Sequence, residues 1–236
     1  MSIFFEMDKT YDELLKEKKN FLFIGEAGSG KSEIVLNTAK KLREISNKDV
    51  DVFDMDQSKP LYRSRDLAKE FAKDGITIHY QDQYLDAPVS VGGVSTSLTS
   101  DNYTLLDIGG GHQASKQAGA YAHLLGKEDS VPIYILNSYR PWTKDLNGID
   151  GTMSHILASV RLNKIYLLGN PNLGYHTNVD DFLEGAKKLD NLFADLTQIN
   201  SYVAKKEICE EAKAKSGKNI FPIELFLTYS WVDTDN

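Results

Sequence analysis

Short apolar runs separated by longer amphipathic stretches set the rhythm of this chain. Residues 21–24, Phe-Leu-Phe-Ile, read as a buried strand. The stretch 31–45 then places Ile34, Val35, Thr38, Leu42 and Ile45 at three- and four-residue spacing, the period of one helix face. A second strand is expected over 50–53, a helix over 67–71 that ends near Gly75, and an alternating strand over 76–80. Further strands are expected at 103–108, 131–136, 164–168 and 223–227, with helices over 112–125 and within 150–161, 178–196 and 203–215. Strands alternating with helices predict an α/β fold, a doubly wound and mostly parallel sheet with helices on both faces. The stretch 82–101, with Gly92-Gly93 and many Ser and Thr, reads either as a lid-like loop or as a weak hairpin. No repeat period and no Gly/Ser- or Pro-rich linker divides the chain, so 1–236 is read as a single domain.

Composition narrows the class. With 236 residues, 41% hydrophobic and 26% charged, the chain is ordinary for a globular protein, which excludes a disordered, collagen-like or mucin-like polymer. Lys and Arg number 27 against 34 Asp and Glu, a formal charge of −7, and an acidic chain is a poor non-specific ligand for nucleic acid. One cysteine, Cys209, excludes an intrachain disulfide and a one-chain cysteine cluster, and fits a reducing compartment. The start carries acidic residues early and no apolar run of signal-peptide length. No window approaches the roughly 18 apolar residues of a membrane span. The expectation is a cytoplasmic protein.

The sharpest chemical signal is Gly25-Glu26-Ala27-Gly28-Ser29-Gly30-Lys31-Ser32, which fits G-x-x-x-x-G-K-[ST] at every fixed position, after a strand and before a helix. Glycines allow the turn that faces backbone N–H groups toward an anion, and the helix N-terminus adds positive potential. Lys31 is expected on the β and γ phosphates and Ser32 on Mg²⁺. Such a loop needs carboxylates to hold the metal and an attacking water. Two strands supply them at the edge where the loop lies, one in Asp54-Met55-Asp56 and one in Leu105-Leu106-Asp107, which runs on into Ile108-Gly109-Gly110-Gly111.

With these motifs the chain resembles the SIMIBI class of P-loop nucleotidases, and within it the MinD/ParA and CobB/CobQ-like ATP-binding group, over 21–172. The resemblance implies ATP and Mg²⁺ as ligands and a nucleotide-gated homodimer. It implies that Asp56 is the switch I residue orienting water, that Asp107 is the Walker B carboxylate, and that Gly111 is the switch II glycine approaching the γ-phosphate. Asn170, after the strand at 164–168, resembles the asparagine that hydrogen-bonds adenine. One position departs: dimerising members carry a signature lysine where this chain has Glu26.

Three cations after Asp56 (Lys59, Arg63 and Arg65) are read either as a replacement for that lysine or as a solvated basic turn. His112 reads as a helix-start histidine on the segment after Gly111, and Arg140-Pro141-Trp142 as a protein contact or a packed turn. His79, His123, His155 and His176 lack metal-ligand spacing. No Asn-Lys-x-Asp motif follows a late strand, which favours ATP over GTP. The reading is an ATP-hydrolysing switch that acts on a protein partner. Its rivals are an ATP-dependent ligase or phosphotransferase with 82–101 as a substrate lid, and a nucleotide-holding adaptor.

Overall fold

The computed structural model describes residues 3–55, 64–80, 91–110 and 112–227, without the side chains of residues 65, 112–114, 147 and 152. Among the described residues nine strands form the sheet: β1 (Phe4–Phe5), β2 (Asn20–Ile24), β3 (Val50–Asp54), β4 (Ile76–His79), β5 (Tyr103–Asp107), β6 (Ser130–Leu136), β7 (Lys164–Gly169), β8 (Tyr202–Lys205) and β9 (Ile220–Ile223). Their order is β4-β3-β5-β2-β6-β7-β8-β9, and β1 also pairs with β7. Every pairing is parallel. β1 takes the first residues of β7, and β8 meets it only at Gly169.

Among the described residues the α-helices between them are α1 (Tyr11–Glu17), α2 (Lys31–Ile45), α3 (Ala68–Phe71), α4 (Val94–Thr99), α5 (His112–Ala118), α6 (Ala122–Leu125), α7 (Leu146–Val160), α8 (Val179–Phe193) and α9 (Lys206–Ser216). The period-two alternation of the strands divides the core. Phe21 and Phe23 of β2 join Tyr11 and Leu14 of α1 and Ile34 and Leu42 of α2 on one face. Leu22 and Ile24 join Ile149 and Ile156 of α7 and Phe182 of α8 on the other. β2 is buried along its whole length, as a parallel strand covered on both faces must be. Truncating Phe23 to Ala would cost about 3–5 kcal/mol through lost transfer energy and the cavity left behind. The α/β, doubly wound sheet is therefore as the alternation of elements predicts.

The helix expected within 203–215 is α9, and it is preceded by the strand β8, where Tyr202 and Val203 are buried and β-prone and pair with β9 in register from Tyr202↔Ile220. Three local expectations are corrected. β9 stops at Ile223, short of the expected 223–227, because the chain beyond it finds partners on α2 instead of on a strand. Asn37 Nδ2 donates to Glu224 O (2.9 Å) and Glu224 N–H donates to Asn37 Oδ1 (2.8 Å). The Glu33 carboxylate accepts the N–H groups of Phe226 and Leu227. Within 91–101 there is no strand but the helix α4, whose Val94 and Leu98 enter the core. The expected helix over 112–125 is split by a 3₁₀ turn at Gly119–Tyr121. The helix α1 was not foreseen, although Thr10-x-x-Glu13 forms a capping box there: Thr10 N–H donates to Glu13 Oε2 (2.7 Å).

Candidate functional site

The C-terminal ends of β5, β2, β6 and β7 lie side by side, and the loop 25–30 rises from β2 at their centre. Gly25, Gly28 and Gly30 hold φ of 142°, 71° and 95°. α1, α7 and α8 are capped by the side chains of Thr10, Asp145 and Asn178. α2 starts at Gly30 with no side-chain cap, so its first-turn amides keep their positive potential for another acceptor. Lys31 is buried, and its Nζ donates to Gly25 O (2.9 Å) and Glu26 O (2.8 Å) across the base of the loop. The Ser29 hydroxyl is also buried and has no hydrogen-bond partner among the described residues.

On the β5 side the site is acidic. Ser32 O–H donates to Asp107 Oδ2 at 2.5 Å, with Asp107 fully buried as the last residue of β5. Asp54 closes β3 in register with Asp107, and Met55 N–H donates to Asp107 O (3.0 Å). Asp54 is buried as well and accepts from Ser64 O–H (3.0 Å). The sequence pointed to Asp56 of Asp54-Met55-Asp56; Asp56 lies outside the described residues, and the carboxylate that the structure sets beside Asp107 is Asp54. Gly111 also lies outside them. The glycine that meets the loop is Gly110, where a Cβ would sit 2.4 Å from Ala27 N. Only a residue without a side chain lets the two loops touch there.

On the β6 and β7 side the site is built of donors. Asn170 follows β7 and is buried, and its Nδ2 donates to Ser29 O (2.8 Å). A Cβ on Gly30 would lie 2.3 Å from that nitrogen, so the last glycine of the motif is required by packing as well as by φ. Asn137, just after β6, ties the two flanking loops together: its Nδ2 donates to Asn172 O (2.8 Å), and its Oδ1 accepts from Tyr139 N–H (3.0 Å). Arg140, read from sequence as part of a protein contact or a packed turn, directs its Nε to Gly28 O at 2.9 Å. Arg140 acts on a loop 112 residues away and Asn137 on the loop after β7, 35 residues on, and no local pattern names either partner. Lys59 and Arg63 lie outside the described residues, as do the side chains of Arg65 and His112. His79 stacks on Phe53 and bonds Asp51 Oδ1 (2.7 Å), away from the loop. Cys209 is a buried core residue.

The phosphate-loop strand thus lies between the strand bearing the buried Asp107 and the strand bearing the Arg140 loop, and the helix that follows opens uncapped. This is the P-loop NTPase fold. A hydroxyl and a carboxylate in one buried contact are hard oxygen donors of the kind Mg²⁺ takes beside phosphate oxygens. The uncapped amides and the buried Lys31 suit phosphate. The residues present therefore fit a nucleotide with Mg²⁺. Among the described residues no helix is long and apolar enough to cross a membrane.

The sequence matches no protein-family model and no curated protein. Among solved structures it is similar to FtsY from Mycoplasma mycoides, with 14% identity over 82% of this chain and 60% of that one, at a TM-score of 0.48. It is similar to the cell division protein FtsY from Thermotoga maritima, with 13% identity, coverages of 67% and 59%, and a TM-score of 0.45. It is similar to the signal recognition particle 54 kDa protein from Aeropyrum pernix K1, solved in complex with GDP, with 15% identity, coverages of 89% and 45%, and a TM-score of 0.40. The chain spans between 45% and 60% of the length of these three structures. The fold assignment stands on the strand order and the loop itself.

Proposed function

We propose that this chain is a Mg²⁺-dependent P-loop ATPase that acts as a nucleotide-gated switch on a protein partner, in the manner of the MinD/ParA and CobB/CobQ-like group. The observation that carries this is the 2.5 Å contact of Ser32 with the buried Asp107 beneath an uncapped helix N-terminus. The amides of 25–30 and Lys31 would hold the phosphates. Ser32 and Asp107 would hold Mg²⁺, which would neutralise charge on the phosphate oxygens. Asp56 is proposed to orient the attacking water, and Gly111 to approach the γ-phosphate. Asp54 is a second carboxylate at the same edge. Asn170 holds the loop through Nδ2, which leaves its Oδ1 for a base.

One feature supports adenine over guanine. The loop after β7 runs Asn170-Pro171-Asn172-Leu173, without the Lys and Asp of a guanine-reading motif. The switch reading is favoured over a ligase or phosphotransferase because α4 packs Val94 and Leu98 into the core, which a substrate lid would not do. A cytoplasmic location and a homodimeric active form belong to the same proposal.

The test is Mg²⁺-dependent hydrolysis of ATP and GTP by the wild-type protein and by Lys31→Ala. The expected result is ATP turnover that falls by roughly 100-fold or more in the variant. Equal turnover in the two proteins would overturn the assignment of the site. GTP turned over faster than ATP would overturn the choice of base.

A further inference from the structure

The phosphate loop is short of positive charge. It carries Glu26, and its buried cation, Lys31, is one charge against a polyphosphate that carries several. Arg140 lies at the loop from the other side of β2. Its Nε donates to Gly28 O, and the guanidinium lies over the Gly28 backbone: a Cβ there would meet Nε, Cζ and Nη2 at 3.4, 3.5 and 3.6 Å. Gly28 is the middle of the loop whose amides would face phosphate.

The arginine is held there by its own backbone. Its N–H donates to Asn137 O (3.2 Å), and its carbonyl accepts from Thr143 N–H (3.0 Å) and Thr143 Oγ1 (2.7 Å). The same Thr143 hydroxyl also reaches Asn137 O (2.7 Å). The next residue, Pro141, opens a 3₁₀ turn. A side chain on such a braced turn loses little freedom when it meets a ligand. Among the described residues Arg140 has no carboxylate partner, although acidic residues outnumber basic ones in this chain. One nitrogen of the fork is committed to the loop. The two Nη groups make no hydrogen bond with any described residue, and a guanidinium fork is matched to phosphate oxygens.

We infer that Arg140 is a phosphate-binding residue of the nucleotide site, a cation supplied in cis from the β6 loop that joins Lys31 on the polyphosphate. The inference rests on the proposed nucleotide-binding reading, and it adds a residue that no part of the P-loop motif contains. A purely structural clamp on Gly28 O would need only an N–H donor. A phosphate ligand needs the charge.

Arg140→Gln, Arg140→Lys and Arg140→Ala, beside Lys31→Ala and wild type, separate the two roles. Dissociation constants for ATP, ADP and adenosine are measured at two salt concentrations, with thermal unfolding as the check on folding. Arg140→Gln and Arg140→Ala should weaken ATP roughly 10- to 100-fold and ADP by less, with adenosine unchanged. Arg140→Lys should stay within roughly threefold of wild type, and the salt dependence of ATP binding should be shallower in Arg140→Gln than in wild type. Arg140→Gln that binds ATP as tightly as wild type, with Lys31→Ala still impaired, would overturn this inference alone. Wild type that binds neither ATP nor ADP would overturn it together with the nucleotide reading.

Discussion

The two flanks of the phosphate loop are made of opposite chemistry. Toward β5 and β3 stand the buried carboxylates Asp107 and Asp54, and the contact with the loop's own end is a hydroxyl, Ser32, donating outward to acid. Toward β6 and β7 stand donors, Arg140 and Asn170, which grip the consecutive carbonyls Gly28 O and Ser29 O. In a trans peptide the C=O and the following N–H point opposite ways. Holding Ser29 O outward therefore aims Gly30 N–H into the cradle. One flank is fitted to hold a cation and the other to aim amides at an anion, so the loop between them is shaped from both sides and does not depend on its glycines alone.

Separate duties should give separable failures. The largest effect is expected from Asp107→Asn: Mg²⁺-dependent ATP turnover should fall by roughly 100-fold or more, while ATP binding measured without Mg²⁺ changes little. If Mg²⁺-free binding collapses as well, the acidic flank is holding the loop and not the metal. Asn170→Ala should act in the other sense. Loss of the bond to Ser29 O leaves a buried carbonyl unpaired and should lower stability by about 1–3 kcal/mol, with nucleotide affinity reduced both with and without Mg²⁺. A denaturant titration beside the binding curve would decide, and a purely Mg²⁺-linked defect would erase the distinction.

The smallest effect lies outside both flanks. Burial pushes the Asp51 carboxyl up, but hydrogen bonds from His79, Asn102 and Ser97 outweigh it and hold the group below its ordinary value of 3.8. A carboxyl depressed in the folded state contributes stability that is present above its unfolded value and lost as pH falls through the folded one. Wild type should therefore lose stability relative to Asp51→Asn as pH drops below about 4, with nucleotide binding at neutral pH the same in both. Unfolding curves across that acid range would show it, and parallel curves would remove Asp51 from the account.

What could be read without coordinates followed from local periodicity. α2 was legible to the residue because the loop fixes its start and its apolar face recurs every three or four positions. β2, β5 and β6 were legible as short apolar runs. The misreading occurred where tertiary partners decide: 224–227 was read as a strand although Glu33 and Asn37 take up its backbone, and β8 went unmarked because pairing with β9 defines it. In the site, Lys31, Ser32 and Asp107 were found by motif and brought together by the fold. Asp56 and Gly111, singled out in the sequence, lie outside the described residues; of their sequence neighbours, Asp54 stands in register with Asp107 and Gly110 meets Ala27. Arg140 was marked in the sequence only as part of a protein contact or a packed turn and Asn137 not at all, because what defines each is a partner in another loop.

The anchoring of Gly28 O and Ser29 O by Arg140 and Asn170 has a consequence for synthesis. During translation the residues that hold the phosphate loop open arrive 112 and 141 residues after the loop positions they bind. Since long-range contacts form only once both partners have been synthesised, a nascent chain that already displays the complete G-x-x-x-x-G-K-S motif still lacks a finished cradle. Competence for nucleotide is conferred late, by β6 and β7 docking beside β2, so that ligand capture reports that the centre of the sheet has been assembled.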